Sequence, residues 1–222
     1  DLSGDGQNLG NPQQLPPATN NTLPVVYGNA VVGGIVTDLS ISADNQQMYY
    51  VIALSEVTGV NTADNFTFGD IYWGGKKVNF AGNGYSVASL TDPSTGAVDT
   101  AVAGYMDIYL FKNGSYSGVN TSQSAIQIMQ NSNLVYKWDS TKLMTSCVFA
   151  IVHLTYNQNA NVTGLQQTLF KVNNSRYKPG DVIQDYLLSD RYGAAIPTSQ
   201  VDTTSLTALN TYSNQSVTYN LY

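Results

Sequence analysis

Helical periodicity in this chain is confined to its end, where two short helices and the break between them can be read residue by residue. Within residues 176–216, Pro179 and Gly180 break whatever precedes them. Asp181 is then placed as an N-cap, its carboxylate accepting from the unpaired N–H groups of a first helical turn. Val182, Ile183, Tyr186 and Leu187 follow at helical spacing and predict one apolar face, with Gln184 and Asp185 on the wet side. Gly193 is expected to stop this helix by adopting the left-handed conformation that a C-terminus needs, and Pro197 bars an early restart. Asp202 caps a second helix whose buried face is Leu206, Leu209 and Tyr212. Helices of about ten residues are marginal alone in water. Both must therefore lean on a larger body built by the residues before them.

Those residues read as strands. Positions 25–27, 31–36, 48–54 and 71–73 are rich in β-branched and aromatic side chains. Gly74-Gly75, between Ile71-Tyr72-Trp73 and Lys76-Lys77-Val78, is a two-residue hairpin signal, because primed turns need positive φ. Residues 81–104 hold Asp92-Pro93 and several glycines and predict a long excursion. Residues 105–111 read as a strand closed by the turn Asn113-Gly114. Residues 147–156 form the most hydrophobic strand and are expected to cross the core with residues 165–172 as partner. Strands first and helices last predict a mainly-β, α+β chain: a β-barrel or sandwich-like body with two short helices near the C-terminus. Residues 1–24 are rich in Gly and Pro with few apolar anchors, and predict an extended arm that cannot order itself. The expected organisation is thus an arm over 1–24, a β-body over 25–175 and a helical segment over 176–222 packed on that body.

Composition narrows the chemistry. Charged residues make up 11% of the 222, against about 25% in an ordinary globular domain. A weakly charged, hydrogen-bonding surface suits large permanent interfaces, where stranded charge is costly to desolvate. Net charge is −6, and the nine Lys and Arg are scattered, with Lys76-Lys77 the one adjacent pair. A groove that grips phosphates needs clustered basic residues, so specific nucleic-acid binding is not expected. The single cysteine, Cys147, lies in the run Cys147-Val148-Phe149-Ala150-Ile151-Val152 and reads as a small buried hydrophobe. No apolar run reaches the ~18 residues of a membrane span, and no charged-then-apolar leader opens the sequence.

Catalytic constellations are weak. The lone histidine, His153, alternates with Val152 and Leu154 and is expected to face solvent; no Gly-x-Ser-x-Gly elbow accompanies it. One His and one Cys are too few for a metal site built on them, and no Asp-x-Asp-x-Asp-Gly run favours calcium. Glu56, Asp70 and Asp107 lie near strand ends, where a glycosidase pair could sit but turn and cap roles are commoner. The tyrosines Tyr49, Tyr50, Tyr105 and Tyr109 read as cross-strand packing rather than a sugar platform. Asn-x-Ser/Thr triplets begin at Asn20, Asn65, Asn113, Asn120, Asn161, Asn173 and Asn214, and matter only if the host glycosylates. No cofactor site is read from the sequence.

Three stretches carry a resemblance. The first is Leu23-Pro24-Val25-Val26-Tyr27-Gly28 with Val31-Val32-Gly33-Gly34. The second runs from Met48 through Val57 and on to Asp70-Ile71-Tyr72-Trp73-Gly74-Gly75-Lys76-Lys77-Val78. The third holds Asp185, Tyr186, Leu187, Leu188, Asp190, Arg191, Tyr192 and Gly193, then Val201, Asp202, Leu206, Leu209 and Tyr212. In this order they resemble the tail tip attachment (host specificity) protein J family of tailed bacteriophages. The resemblance spans most of the chain from Leu23 onward. It implies a non-enzymatic tail hub protein at the distal end of the virion's tail, a homotrimer whose ring continues the tube. It further implies contact with distal tail and tape-measure proteins, and a genome that passes through the lumen without specific binding. Within the third stretch Asp185, Arg191, Tyr192, Gly193 and Asp202 would be structural: Arg191 bonding free helix carbonyls, Tyr192 burying its ring beside Gly193. No stretch resembles the family's receptor-binding part, so host recognition is not carried to these residues. Two other readings stay open: a secreted or cell-surface adhesin or pilus-type subunit, from the low-charge, Asn/Tyr-rich composition and an arm that could add a strand to a neighbour, and a carbohydrate-active enzyme using Glu56 or Asp107.

Overall fold

The computed structural model describes residues 14–17, 21–57, 63–116, 118–131, 133–213 and 219–221. Two antiparallel sheets pack face to face. The larger joins β1 (Val25–Val32), β4 (Phe66–Trp73), β5 (Lys76–Phe80), β6 (Val87–Thr91), β7 (Val98–Asp99), β10 (Thr168–Asn174) and β11 (Tyr219–Leu221) in the order β11-β1-β10-β4-β5-β6-β7. The smaller joins β2 (Ile35–Ile41), β3 (Gln47–Glu56), β8 (Met106–Phe111) and β9 (Cys147–Thr155) in the order β2-β3-β9-β8. The body is a sandwich; the sheets do not close into a barrel. Inward-facing residues of both sheets, among them Val26, Phe66, Ile71, Ile108, Val152 and Phe170, fill the space between them.

The smaller sheet is covered on both faces, which explains why its central strands read as continuous apolar runs rather than alternating ones. Its outer face carries Tyr49, Val51, Phe111 and Phe149, and these pack under α1 (Ala125–Met129), Leu134 and Trp138. Phe111 and Phe149 stack across strands with centroids 4.7 Å apart. The covering segment is pinned by Asp38, which accepts from Trp138 Nε1 at 2.5 Å and pairs with Lys142. The sequence reading of two helices thus lacks one. Its signal was present: Ser124 and Gln127 form a reciprocal capping box, but five residues are too few for a periodicity to show.

Other expectations shift for identifiable reasons. Residues 165–172 do not partner β9. Their strand, β10, lies between β1 and β4 in the other sheet, while β9 pairs with β3 and β8. Alternation shows that a strand has a buried face, not which sheet supplies its neighbour. The excursion at 81–104 contributes β6 and β7 to the larger sheet, with Val87 and Leu90 buried. Gly74 and Gly75 do form the β4–β5 turn, at φ 56° and 80°.

Most of the arm expected at 1–24 lies outside the described residues. Of the remainder, Leu15 pairs in parallel with Ile35, its N–H donating to Gly34 O and its carbonyl accepting from Val36 N, both at 3.0 Å. The open edge of β2 thereby gains a partner for backbone groups that would otherwise be left to water.

Candidate functional site

The residues singled out near the C-terminus meet the β-body at one joint. Asn174, at the end of β10, donates from Nδ2 to Val26 O at 2.7 Å and accepts from Arg176 N at 2.9 Å, which turns the chain away from the sheet. α2 (Pro179–Leu188) follows, with Pro179 in its first turn and Lys178, not Asp181, as N-cap; Lys178 makes no side-chain cap bond. The missing cap comes from α3 (Thr203–Tyr212). Asn210 Oδ1 accepts from Gly180 N at 2.7 Å, and Asn210 Nδ2 donates to Asp181 at 2.8 Å. Asp202 caps α3 as its position suggests, accepting from Thr204 N at 3.1 Å and Ser205 N at 3.2 Å. The predicted buried face of α3 is not formed: no residue of that helix is buried, and Tyr212 is 86% exposed.

α2 is turned relative to its predicted face. Asp185, expected on the wet side, is fully buried, while Ile183 and Tyr186 are exposed. The hydroxyls of Tyr27, on β1, and Tyr192 both donate to Asp185 Oδ2, and Val25, Tyr27 and Val182 pack around them against Tyr192. Burial, then the bond and charge of Asp185, push the Tyr27 phenol far above its ordinary value. Helical spacing placed the apolar residues on one side, but the hydrogen-bonding demand of a carboxylate facing two phenols decided the rotation.

The turn after α2 brings Tyr192 back. Ala194 N donates to Tyr186 O at 2.8 Å and Ile196 N to Leu187 O at 2.8 Å. Gly193 does not supply the left-handed residue; Ala195 does, at φ 52°. Gly193 is required by space, since a Cβ there would fall on the Tyr186 carbonyl oxygen. Arg191 does not bond helix carbonyls either. Its Nε pairs with the carboxylate of Glu56, a residue 5% exposed at the end of β3. The Tyr27–Asp185 contact spans 158 positions, and no local pattern in the sequence announces it.

The remaining candidates stand apart from the joint. His153 is mostly enclosed rather than solvent-facing: it stacks on Tyr49 at 4.2 Å, and its Nδ1 lies 2.9 Å from Asp107 Oδ2. Ser86 Oγ donates to Asp107 Oδ1 at 2.6 Å, tying the larger sheet to the smaller at that corner. Burial alone would raise the Asp107 pKa; the bonds from His153 and Ser86, the His153 charge and the Tyr109 hydroxyl outweigh it and hold the carboxyl below its ordinary value. Asp107 aligns with His153 and Tyr49 across the sheet, and Glu56 lies seven positions beyond Tyr49 on β3. At about 3.3 Å per residue the two carboxylates are roughly 20 Å or more apart, beyond the ~5–9.5 Å of a glycosidase pair. Asp70 is bound to Lys77 at 2.9 Å on the larger sheet. Among the described residues no three His, Cys, Asp or Glu side chains gather as a metal-holding group, and no helix is long and apolar enough to cross a membrane.

Cys147 is buried, and its thiol is pushed up to about 12 by burial first and then by the Glu56 carboxylate. It borders an open apolar groove of about 580 Å³ lined also by Pro17, Leu23, Ile35 and Val36. Asn120 is unavailable as a glycan acceptor, because its Nδ2 donates to both Gly84 O and Ile108 O, at 3.0 and 2.8 Å. Asn20 and Asn214 lie outside the described residues. Compared with known proteins, the chain matches no family model and no curated protein.

Proposed function

We propose that this chain is a structural subunit of a phage tail tip, a hub component whose copies form a ring continuing the tail tube and joining distal tail and tape-measure proteins. One observation carries the reading. The three stretches that resemble the tail tip attachment family meet at a single joint: Tyr27 from the first, Glu56 from the second, and Asp185, Arg191 and Tyr192 from the third. Residues that far apart in sequence, brought to two contacts joined through the adjacent Arg191 and Tyr192, support a shared structural purpose for the resemblance. Chemistry has no comparable focus, since Glu56 is held by Arg191 and stands far from Asp107. In this reading the chain makes and breaks no bond and needs no cofactor. The low-charge surface suits permanent subunit contacts, and the sandwich supplies a stiff wall.

The test is the native mass of the purified chain, together with antibody labelling of the particles that contain it. A trimer, with label at the distal end of a tail, is the expected result. A monomer at all concentrations, absent from any virion, overturns the proposal.

A further inference from the structure

We propose that the α2–α3 hairpin is a latched module, leaving and re-docking on the β-body as one piece, with the Asp185 carboxylate as the latch. Its two helices are closely coupled. Gly180 sits directly against the Leu206 backbone, and Asn210 bonds both Gly180 N and Asp181. Its hold on the body is narrow by comparison. The apolar contact comprises Val25, Tyr27 and Val182 with Tyr192 beside them, and α3 buries nothing. Ile183, Tyr186 and Leu209 remain 41%, 46% and 38% exposed on the docked hairpin. Because apolar burial supplies most of the driving force for packing, this contact is far weaker than the layers of the sandwich.

The rest of the hold is polar. Docked, the Asp185 carboxylate accepts from Tyr27 on the body and from Tyr192 within the hairpin, and Arg191 pairs with Glu56 of β3, but Asp185 surrenders its water, and its Oδ1 is buried with no hydrogen-bond partner. Undocked, the carboxylate and the Tyr27 hydroxyl regain water, as do Glu56 and Arg191. Opposed terms of this kind specify a single docked geometry without making it very stable. A unit with few buried apolar contacts opens below the free energy of global unfolding. Asn174 fixes the chain up to Arg176 and β11 pairs with β1 from Tyr219, so the hairpin moves between these two anchors. This motion is inferred from the joint alone and does not depend on the virion reading.

Hydrogen exchange read by mass spectrometry, on the full chain and on Tyr27→Phe and Arg191→Ala, tests it. Peptides covering 179–188 and 203–212 are expected to exchange together and well ahead of β9. Either substitution should speed both by about tenfold or more, with β9 unchanged. Three results would overturn the latch: hairpin amides exchanging only at the rate of β9, variants that accelerate β9 equally, or helices that respond independently of each other.

Discussion

Gly180→Ala sets two effects of opposite sign against each other. Gly180 lies in the first turn of α2, and inside a helix Ala is favoured over Gly by about 0.8–1.0 kcal/mol. On propensity alone the substitution stabilises. A Cβ at this position, however, would run into the Leu206 carbonyl oxygen and the Asn210 side-chain amide. Backbone cannot yield as a flexible side chain can, so α2 and α3 must separate. Overpacking of this kind costs about 1–3 kcal/mol, and separation also loses the Gly180–Asn210 and Asn210–Asp181 bonds, each contributing about 0.5–1.5 kcal/mol. The steric term wins, for a net loss of about 1–5 kcal/mol, or at least about fivefold in the open population. The loss falls on α3, which packs on α2 and is too short to persist alone. Chymotrypsin under native conditions reads that population at Leu206 and Leu209, where cleavage tracks opening when reclosing is fast. Cleavage there is expected to rise at least about fivefold. Slower cleavage in Gly180→Ala than in the parent chain would mean that propensity dominates, and the close approach of the two helices described above would be wrong.

Phe149→Ala removes a fully buried ring stacked on Phe111 and should cost about 3–5 kcal/mol, read from urea unfolding midpoints. The depressed Asp107 pKa gives a signed pH dependence. The folded value lies below the unfolded one, so its contribution is full above about pH 3.9 and is lost as pH falls through the lower folded value. Asp107→Asn should therefore lose less stability than the parent chain between neutral pH and pH 3, and parallel losses would show that the His153 and Ser86 bonds do not act as described. Cys147, with its thiol pushed up to about 12 and buried, should resist a disulfide exchange reagent at pH 8 until denaturant is added; immediate reaction would place it at the surface.

Much of the body was legible from local chemistry. The Gly74-Gly75 turn demanded positive φ, Asp202 preceded donors it could cap, and β3 and β9 announced burial by their unbroken apolar runs. These depend on neighbours a few residues away, and such information is written in order along the chain. The capping box at Ser124 was equally local but short. The joint was not legible in the same way. The spacing that puts Val182 and Ile183 on one face carries no trace of Tyr27 on β1, so it predicts a wet Asp185 where the structure encloses that carboxylate between two hydroxyls. Local sequence points Arg191 to the nearest helix carbonyls, because Glu56, its partner, is remote along the chain.

By itself, then, the sequence determined the strand-rich body, the positions of the turns, and the presence of a capped helical segment at the end. Only the tertiary structure decided which sheet each strand joined, how α2 was rotated, and which carboxylate was buried. Those choices depend on partners brought together by folding. A buried polar group is stable only where a complementary donor arrives from elsewhere in the chain, and spacing along one element carries no record of that arrival.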